Sequence, residues 1–254
     1  MGTELIDNFN EIVVPVIELE RAGGPDIRRL LGTAFFINET GVFLTAGHVA
    51  ELLTPKRSGL RYAARPEGQS LCVSPHSIEV HPETDIAIGR LAFNDDLPFP
   101  TRRIGDFAAR TPRFLMKIAT FGYPDTVVFR DGMDFHMNMR GQRGVIQRVV
   151  RPPESRLPTS RGLNVTGIET SFPLARCMSG APIIARERDT FTLYGVGIGN
   201  LDSRTRVERE ENEDGVIIHT EVVQHGLAVA MTDILDWRPQ LLEGASLGDL
   251  FQIV

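Results

Sequence analysis

Residues 174–184 read LARCMSGAPII and place Ser179 in a glycine-containing loop directly before the apolar run Pro182-Ile183-Ile184. A serine hydroxyl is a poor nucleophile by itself, because its proton must leave as the oxygen attacks. The loop acquires a chemical meaning only if the chain also supplies a base and a group to orient that base.

Two other segments do so. Residues 44–48, LTAGH, end in His48 just after a strand-like run, and residues 84–89, TDIAIG, open another such run behind Asp85. An imidazole is suited to taking a serine proton near neutral pH. A buried carboxylate beside it fixes the tautomer and stabilises the imidazolium that forms. His48 is thus the candidate general base, Asp85 its orienting partner and Ser179 the candidate nucleophile. The chain order His, Asp, Ser is one of the three orders in which such triads occur, and differs from Asp-His-Ser and Ser-Asp-His.

The surrounding sequence reads as strands. Apolar runs such as EIVVPVIEL (11–19), LGTAFFIN (31–38), RFLMKIATFGYP (113–124), GVIQRVV (144–150), FTLYGVGIG (191–199) and GLAVAM (226–231) are rich in Val, Ile, Phe and Leu. Most are too short for helices and are bounded by Gly, Pro, Asn and Asp, the pattern of an all-β sandwich or barrel. Asn38-Glu39-Thr40-Gly41 reads as a hairpin turn, and a second turn is expected near Arg188-Asp189. The polar segment 93–112 divides the strands into two groups. Thr232-Asp233 is placed to cap a short C-terminal helix, and the charged stretch 202–215, DSRTRVEREENEDG, reads as a solvated loop.

Bulk properties narrow the classes. The 254 residues are 42% hydrophobic and 24% charged, ordinary for a globular protein with a sizeable core. A net charge of −6 argues against non-specific nucleic-acid binding. No run of about 18 apolar residues predicts a membrane span. The first residues, MGTELIDNFNEIVV, do not read as a signal peptide, and Cys72 and Cys177 read as two reduced thiols in a cytoplasmic protein. Cys72, His76 and His81 lie close in sequence, but Pro75 breaks the register and His81 points away on a strand, so no metal site is expected.

Taken together in order, TAGH, DIA and MSGAP resemble the motifs of trypsin-like peptidases of the chymotrypsin fold, in the style of the compact bacterial branch that includes the HtrA catalytic domain. GTAFFIN, FGYP, GVIQ, YGVGIGN and GLAVAM extend the resemblance over roughly residues 10–243. It implies an all-β fold of two packed six-stranded antiparallel barrels with a short C-terminal helix. The first barrel would span about 10–100, the second about 112–231, and the helix and tail 232–254, all in a single peptidase domain without a PDZ domain. It implies hydrolysis of peptide bonds through an acyl-enzyme with no cofactor, a protein or peptide as substrate, and an oxyanion hole made by the N–H groups of Cys177 and Ser179. The substrate pocket would be lined by Pro173, Leu174, Gly197, Ile198 and Gly199. With no acid at the pocket base, and with Gly195, Gly197 and Gly199 leaving its wall open, an apolar side chain is expected before the scissile bond.

Two departures bear on mechanism. Met178 stands where secreted relatives carry an aspartate that pairs with a new N-terminus, so activation by that ion pair is not expected. Cys177 stands where a glycine is usual. Positive φ there costs a residue with a Cβ about 1–2 kcal/mol, so the loop is expected to favour a closed-off state that an activating protein partner would reverse. The alternative is a binding or regulatory protein that keeps the fold and no longer cuts. Cys177 itself as the nucleophile has the wrong offset from SGAP, and redox sensing through it is the remaining reading.

Overall fold

The chain is described by a computed structural model over residues 9, 11–22, 26–54, 57–63, 70–91, 104, 106–107, 110–131, 134–151, 165–187, 190–212 and 215–250. Seven strands form the first sheet: β1 Val13–Leu19, β2 Ile27–Phe36, β3 Val42–Ala46, β4 Ser58–Ala63, β5 Ser70–Val73, β6 Pro75–Val80 and β7 Ile86–Leu91, in the order β5-β4-β1-β2-β3-β7-β6. β5 and β6 are separated only by Ser74 and lie at opposite ends of that order. They are two halves of one broken strand, and the sheet closes on itself as a six-stranded barrel, which leaves no free edge.

The second sheet closes in the same way. Its strands are β8 Asp106–Phe107, β9 Lys117–Gly122, β12 Arg140–Val150, β13 Gly167–Thr170, β14 Pro182–Glu187, β15 Thr190–Asn212 and β16 Gly215–Ala230. The order β14-β9-β12-β13-β16-β15-β8 carries an additional β14–β15 pairing that completes a ring of six. β8 adds two residues in parallel to the outside of β15. A separate hairpin, β10 Val128–Asp131 with β11 Asp134–Met137, stands apart from both rings. The fold is therefore the expected all-β pair of six-stranded barrels.

Local chemistry explains the tight β2–β3 connection. Asn38 Oδ1 accepts hydrogen bonds from the N–H groups of Thr40 and Val42, and Gly41 takes φ +76°. The side chain thus satisfies two amides at the turn. The hairpin brings Phe35, Phe36, Phe43 and Leu44 fully into the core.

Three sequence expectations are corrected. The stretch 202–215 is not a loop: β15 and β16 pair from Gly195↔Ala230 out to Asn212↔Gly215, a two-stranded ribbon much longer than the barrel requires. A ribbon of paired strands satisfies its backbone without a barrel behind it, which charge alone does not reveal. The C-terminal helix is 3₁₀ rather than α, in short turns at Met231–Asp233, Gln240–Leu242 and Gly248–Leu250. Asp233 does not cap it; its carboxylate accepts from the Thr166 amide. The expected turn at Arg188-Asp189 and most of the connection 93–112 lie outside the described residues. Among the described residues no helix is long and apolar enough to cross a membrane.

Candidate active site

His48 and Asp85 meet because their strands are neighbours. β3 pairs with β7 up to Ala46↔Ile86, so the residues just beyond that pair emerge side by side at the barrel end. The five-residue helix α1, Gly47–Glu51, begins there and carries His48. Asp85 grips it three ways. Its carbonyl accepts from Gly47 N at 2.9 Å, Oδ1 accepts from His48 N at 2.8 Å, and Oδ2 lies 2.7 Å from His48 Nδ1. The Asp85 side chain is 6% exposed and that of His48 38%, so the carboxylate is buried while the ring reaches the surface. A carboxylate against Nδ1 places the ring proton on that atom and leaves Nε2 as the free base.

Ser179 comes from the loop between β13 and β14 and faces the same cleft as His48, a cavity of about 970 Å³. Among the described residues Ser179 Oγ makes no hydrogen bond, including to His48. Such bonds are often long before substrate arrives.

The loop itself is set by contacts from the first barrel. Thr33 on β2 is fully buried. Its N–H donates to the Ser179 carbonyl at 2.8 Å, and its hydroxyl donates to the Cys177 carbonyl at 3.0 Å and accepts from Tyr123 N at 3.1 Å. Its carbonyl accepts from the Thr45 hydroxyl at 2.7 Å. Gly180, at φ +91°, lies so close that an added Cβ would fall 1.9 Å from the Thr33 carbonyl oxygen. Only glycine fits there.

Cys177 has φ +69°, the conformation that a side chain disfavours. Three contacts impose it: Thr33 on its carbonyl, its thiol donating to the Leu30 carbonyl at 3.6 Å, and the preceding Arg176 carbonyl drawn away to Asp125 N at 3.1 Å. The amides of Met178, Gly180 and Ala181 are all bonded within the protein. Among the described residues, those of Cys177 and Ser179 have no acceptor. Two unpaired N–H groups thus lie beside Ser179. Cys177 thus holds positive φ among contacts that offset its strain. Burial, and then the charge of Asp125, push the Cys177 thiol up, which disfavours the thiolate that a nucleophile or redox sensor needs. Met178 is fully buried among Leu174, Ala181 and Ile183 in the second barrel's core, an apolar anchor in the place of an ion pair.

The expected pocket is only partly as read. Pro173, Leu174 and Gly199 line the cleft, whereas Ile198 is buried in the core and Gly197 is covered. An added Cβ at Gly197 would lie 2.7 Å from Leu174 Cδ1, so Leu174 occupies the space a glycine wall was expected to open. Gly195 is likewise packed, against the Val229 carbonyl, and Gly199 alone of the three faces open space. Asn200 holds Leu174 there. Its Oδ1 accepts from Leu174 N and its Nδ2 donates to Leu174 O, both at 2.7 Å. Thr33 and Asn200 were missed as site residues, although both lie inside the quoted runs GTAFFIN and YGVGIGN. Cys72 and His81 go to separate tasks: burial raises the Cys72 thiol to about 11, and His81 packs edge-on against Trp237.

A family model described as trypsin-like peptidase domain matches residues 32–193, well over half of the chain. The chain belongs to that family. Among solved structures it is similar to the MamO protease domain from Magnetospirillum magneticum in its apo form, at TM-score 0.56 and 15% identity, covering 91% of this chain and 97% of that one. It is similar to the HtrA-type protease AlgW solved with a tripeptide, at TM-score 0.54 and 16% identity, covering 92% of this chain and 61% of that one. It is also similar to neuropsin, a serine protease expressed in the limbic system of mouse brain, at TM-score 0.57 and 12% identity, covering 91% and 93%. At these identities the likeness is one of fold. No curated protein matches the chain.

Proposed function

We propose that the protein is a serine endopeptidase in which Ser179, His48 and Asp85 act as nucleophile, general base and orienting carboxylate. The observation that carries this reading is the convergence in one cleft of a carboxylate-locked His48, Ser179 and two unpaired amides.

His48 Nε2 takes the Ser179 proton as Oγ attacks the substrate carbonyl carbon. The carbonyl oxygen becomes an oxyanion and accepts from Cys177 N–H and Ser179 N–H. His48 then returns the proton to the leaving amine, the C–N bond breaks and an acyl-enzyme remains. Water, activated by the same Nε2, attacks the ester and releases the acid with Ser179 regenerated. Leu174, held by Asn200 beneath Gly197, leaves room at the pocket for a small apolar side chain before the scissile bond.

One observation favours the non-cleaving reading: Ser179 Oγ and His48 are not hydrogen-bonded. Incubation with an unfolded protein substrate distinguishes the two. Fragments that appear with the unaltered chain and disappear with Ser179→Ala support the peptidase. Fragments that persist with Ser179→Ala rule out Ser179 as the nucleophile, and fragments that never form support a binding role.

A further inference from the structure

The charge lining the cleft runs against the charge of the chain. The whole protein carries −6, yet Arg28, Arg29, Arg140 and Arg176 line the cavity that contains His48 and Ser179, and Asp125 is the one acid among the described residues of that lining. All four arginines are exposed. Arg28 and Arg29 share a single carboxylate, Glu18, at 3.2 and 2.6 Å, and Arg29 followed by Arg28 holds that carboxyl below its ordinary range. Arg176 stands 3.5 Å from Asp125 while its side chain remains 85% exposed. Arg140, on β12 opposite Gly122, has no partner among the described residues. Among the described residues, four guanidinium groups against two carboxylates leave two positive charges uncompensated at the rim. The remaining polar lining, Gln142, Asn200 and Gln224, is neutral.

A basic rim on an acidic protein is a local device, because its field reaches about one Debye length, roughly 8–10 Å, and no further. From that rim we infer that the substrates are polypeptides with Asp or Glu within a few residues of the scissile bond. Carboxylate side chains fit the planar guanidinium fork and would meet Arg140 and Arg176 without displacing any strong partner. A substrate flanked by Lys or Arg would add like charge to a rim that is already positive. The inference rests on the peptidase reading for the word substrate, but the preference for acidic chains is a property of the cleft and can be measured without turnover.

The test uses the full chain carrying Ser179→Ala and three fluorescein-labelled peptides with one apolar centre and flanks of Glu, Gln or Lys. Anisotropy is expected to give the Glu peptide about tenfold tighter binding than the Gln peptide in low salt. Most of that gap should vanish between about 50 and 500 mM salt. Arg140→Gln and Arg176→Gln should each reduce it severalfold. Both positions are exposed, so neither change should disturb folding. Equal binding of the Glu and Gln peptides, tighter binding of the Lys peptide, or no binding of any of the three overturns the proposal. So does tighter binding of a single-stranded oligonucleotide than of the Glu peptide, which would make the rim a nucleic-acid surface. Failure of the peptidase reading registers elsewhere, as the absence of cleavage by the unaltered chain.

Discussion

The His48–Asp85 pair is closed within the first barrel: two adjacent strands deliver it, and among the described residues the hydrogen bonds that hold it run between residues 47–48 and 85. The Ser179 loop belongs to the second barrel but takes its shape from the first, through Thr33, Leu30 and Thr45. His48 is therefore positioned by local structure, whereas Ser179 and the two unpaired amides are positioned by the packing of one barrel on the other. The two halves should fail differently when perturbed.

The largest effect is expected from the local half. Asp85→Asn keeps the size and most hydrogen bonds but loses the carboxylate that sets the tautomer, and turnover should fall by about 10⁴ with the fold intact. A loss below about tenfold in steady-state assays would remove Asp85 from the role.

Next comes the contact that joins the halves. Thr33→Val preserves the volume and deletes the hydroxyl between Cys177 O and Tyr123 N. With the Cys177 amide no longer fixed, kcat should fall by about 10²–10³, KM should change little, and Thr33→Ser should recover most of the loss. Thr33 touches no reacting atom, so this is a positioning effect. A change in KM alone, or no rescue by serine, would place Thr33 in general packing instead.

A smaller effect sharpens the comparison at the strained residue. Since its surroundings already impose φ +69° on Cys177, Cys177→Gly should leave turnover of a small ester within about threefold. A large rise in basal turnover would mean that the free chain does hold the loop closed off.

The smallest concerns the turn that delivers Asp85. His81 Nδ1 accepts from Glu83 N at 3.1 Å, and burial lowers the pKa of His81. The folded state keeps the ring neutral while the unfolded chain takes up a proton near its ordinary value of about 6.5. Stability from this group is thus full above that pH and falls as the pH drops below it. Urea midpoints at pH 7.5 and 5.5 should differ less in His81→Asn than in the unaltered chain; an equal difference in both would acquit His81.

Sequence patterns foretold the local half well and the shared half poorly. TAGH and TDIA reveal His48 and Asp85 because each sits at the end of a short apolar run whose neighbour is close in the fold. The contact of Thr33 with Cys177 spans 144 residues, and nothing in the order of the chain marks it. The same blindness applies at Cys177, whose cost in φ can be read from its residue type but whose compensating contacts cannot. Leu174 was placed at the pocket but not seen to fill it, because that depends on Asn200, 26 residues away. The basic rim as a whole is not legible in sequence for a related reason: Arg140 belongs to a basic run, but Arg28, Arg29 and Arg176 lie in two other segments and join it only at the cleft.

The central claim is that the free chain already holds an assembled nucleophile loop, its nucleophile being Ser179. Labelling of the purified protein alone with a fluorophosphonate, followed by mass mapping of the modified residue, tests it most directly. The account predicts modification of Ser179, at a rate that cell extract does not raise and that Thr33→Val lowers. Modification at Cys177, or labelling of Ser179 only after extract is added, would contradict it.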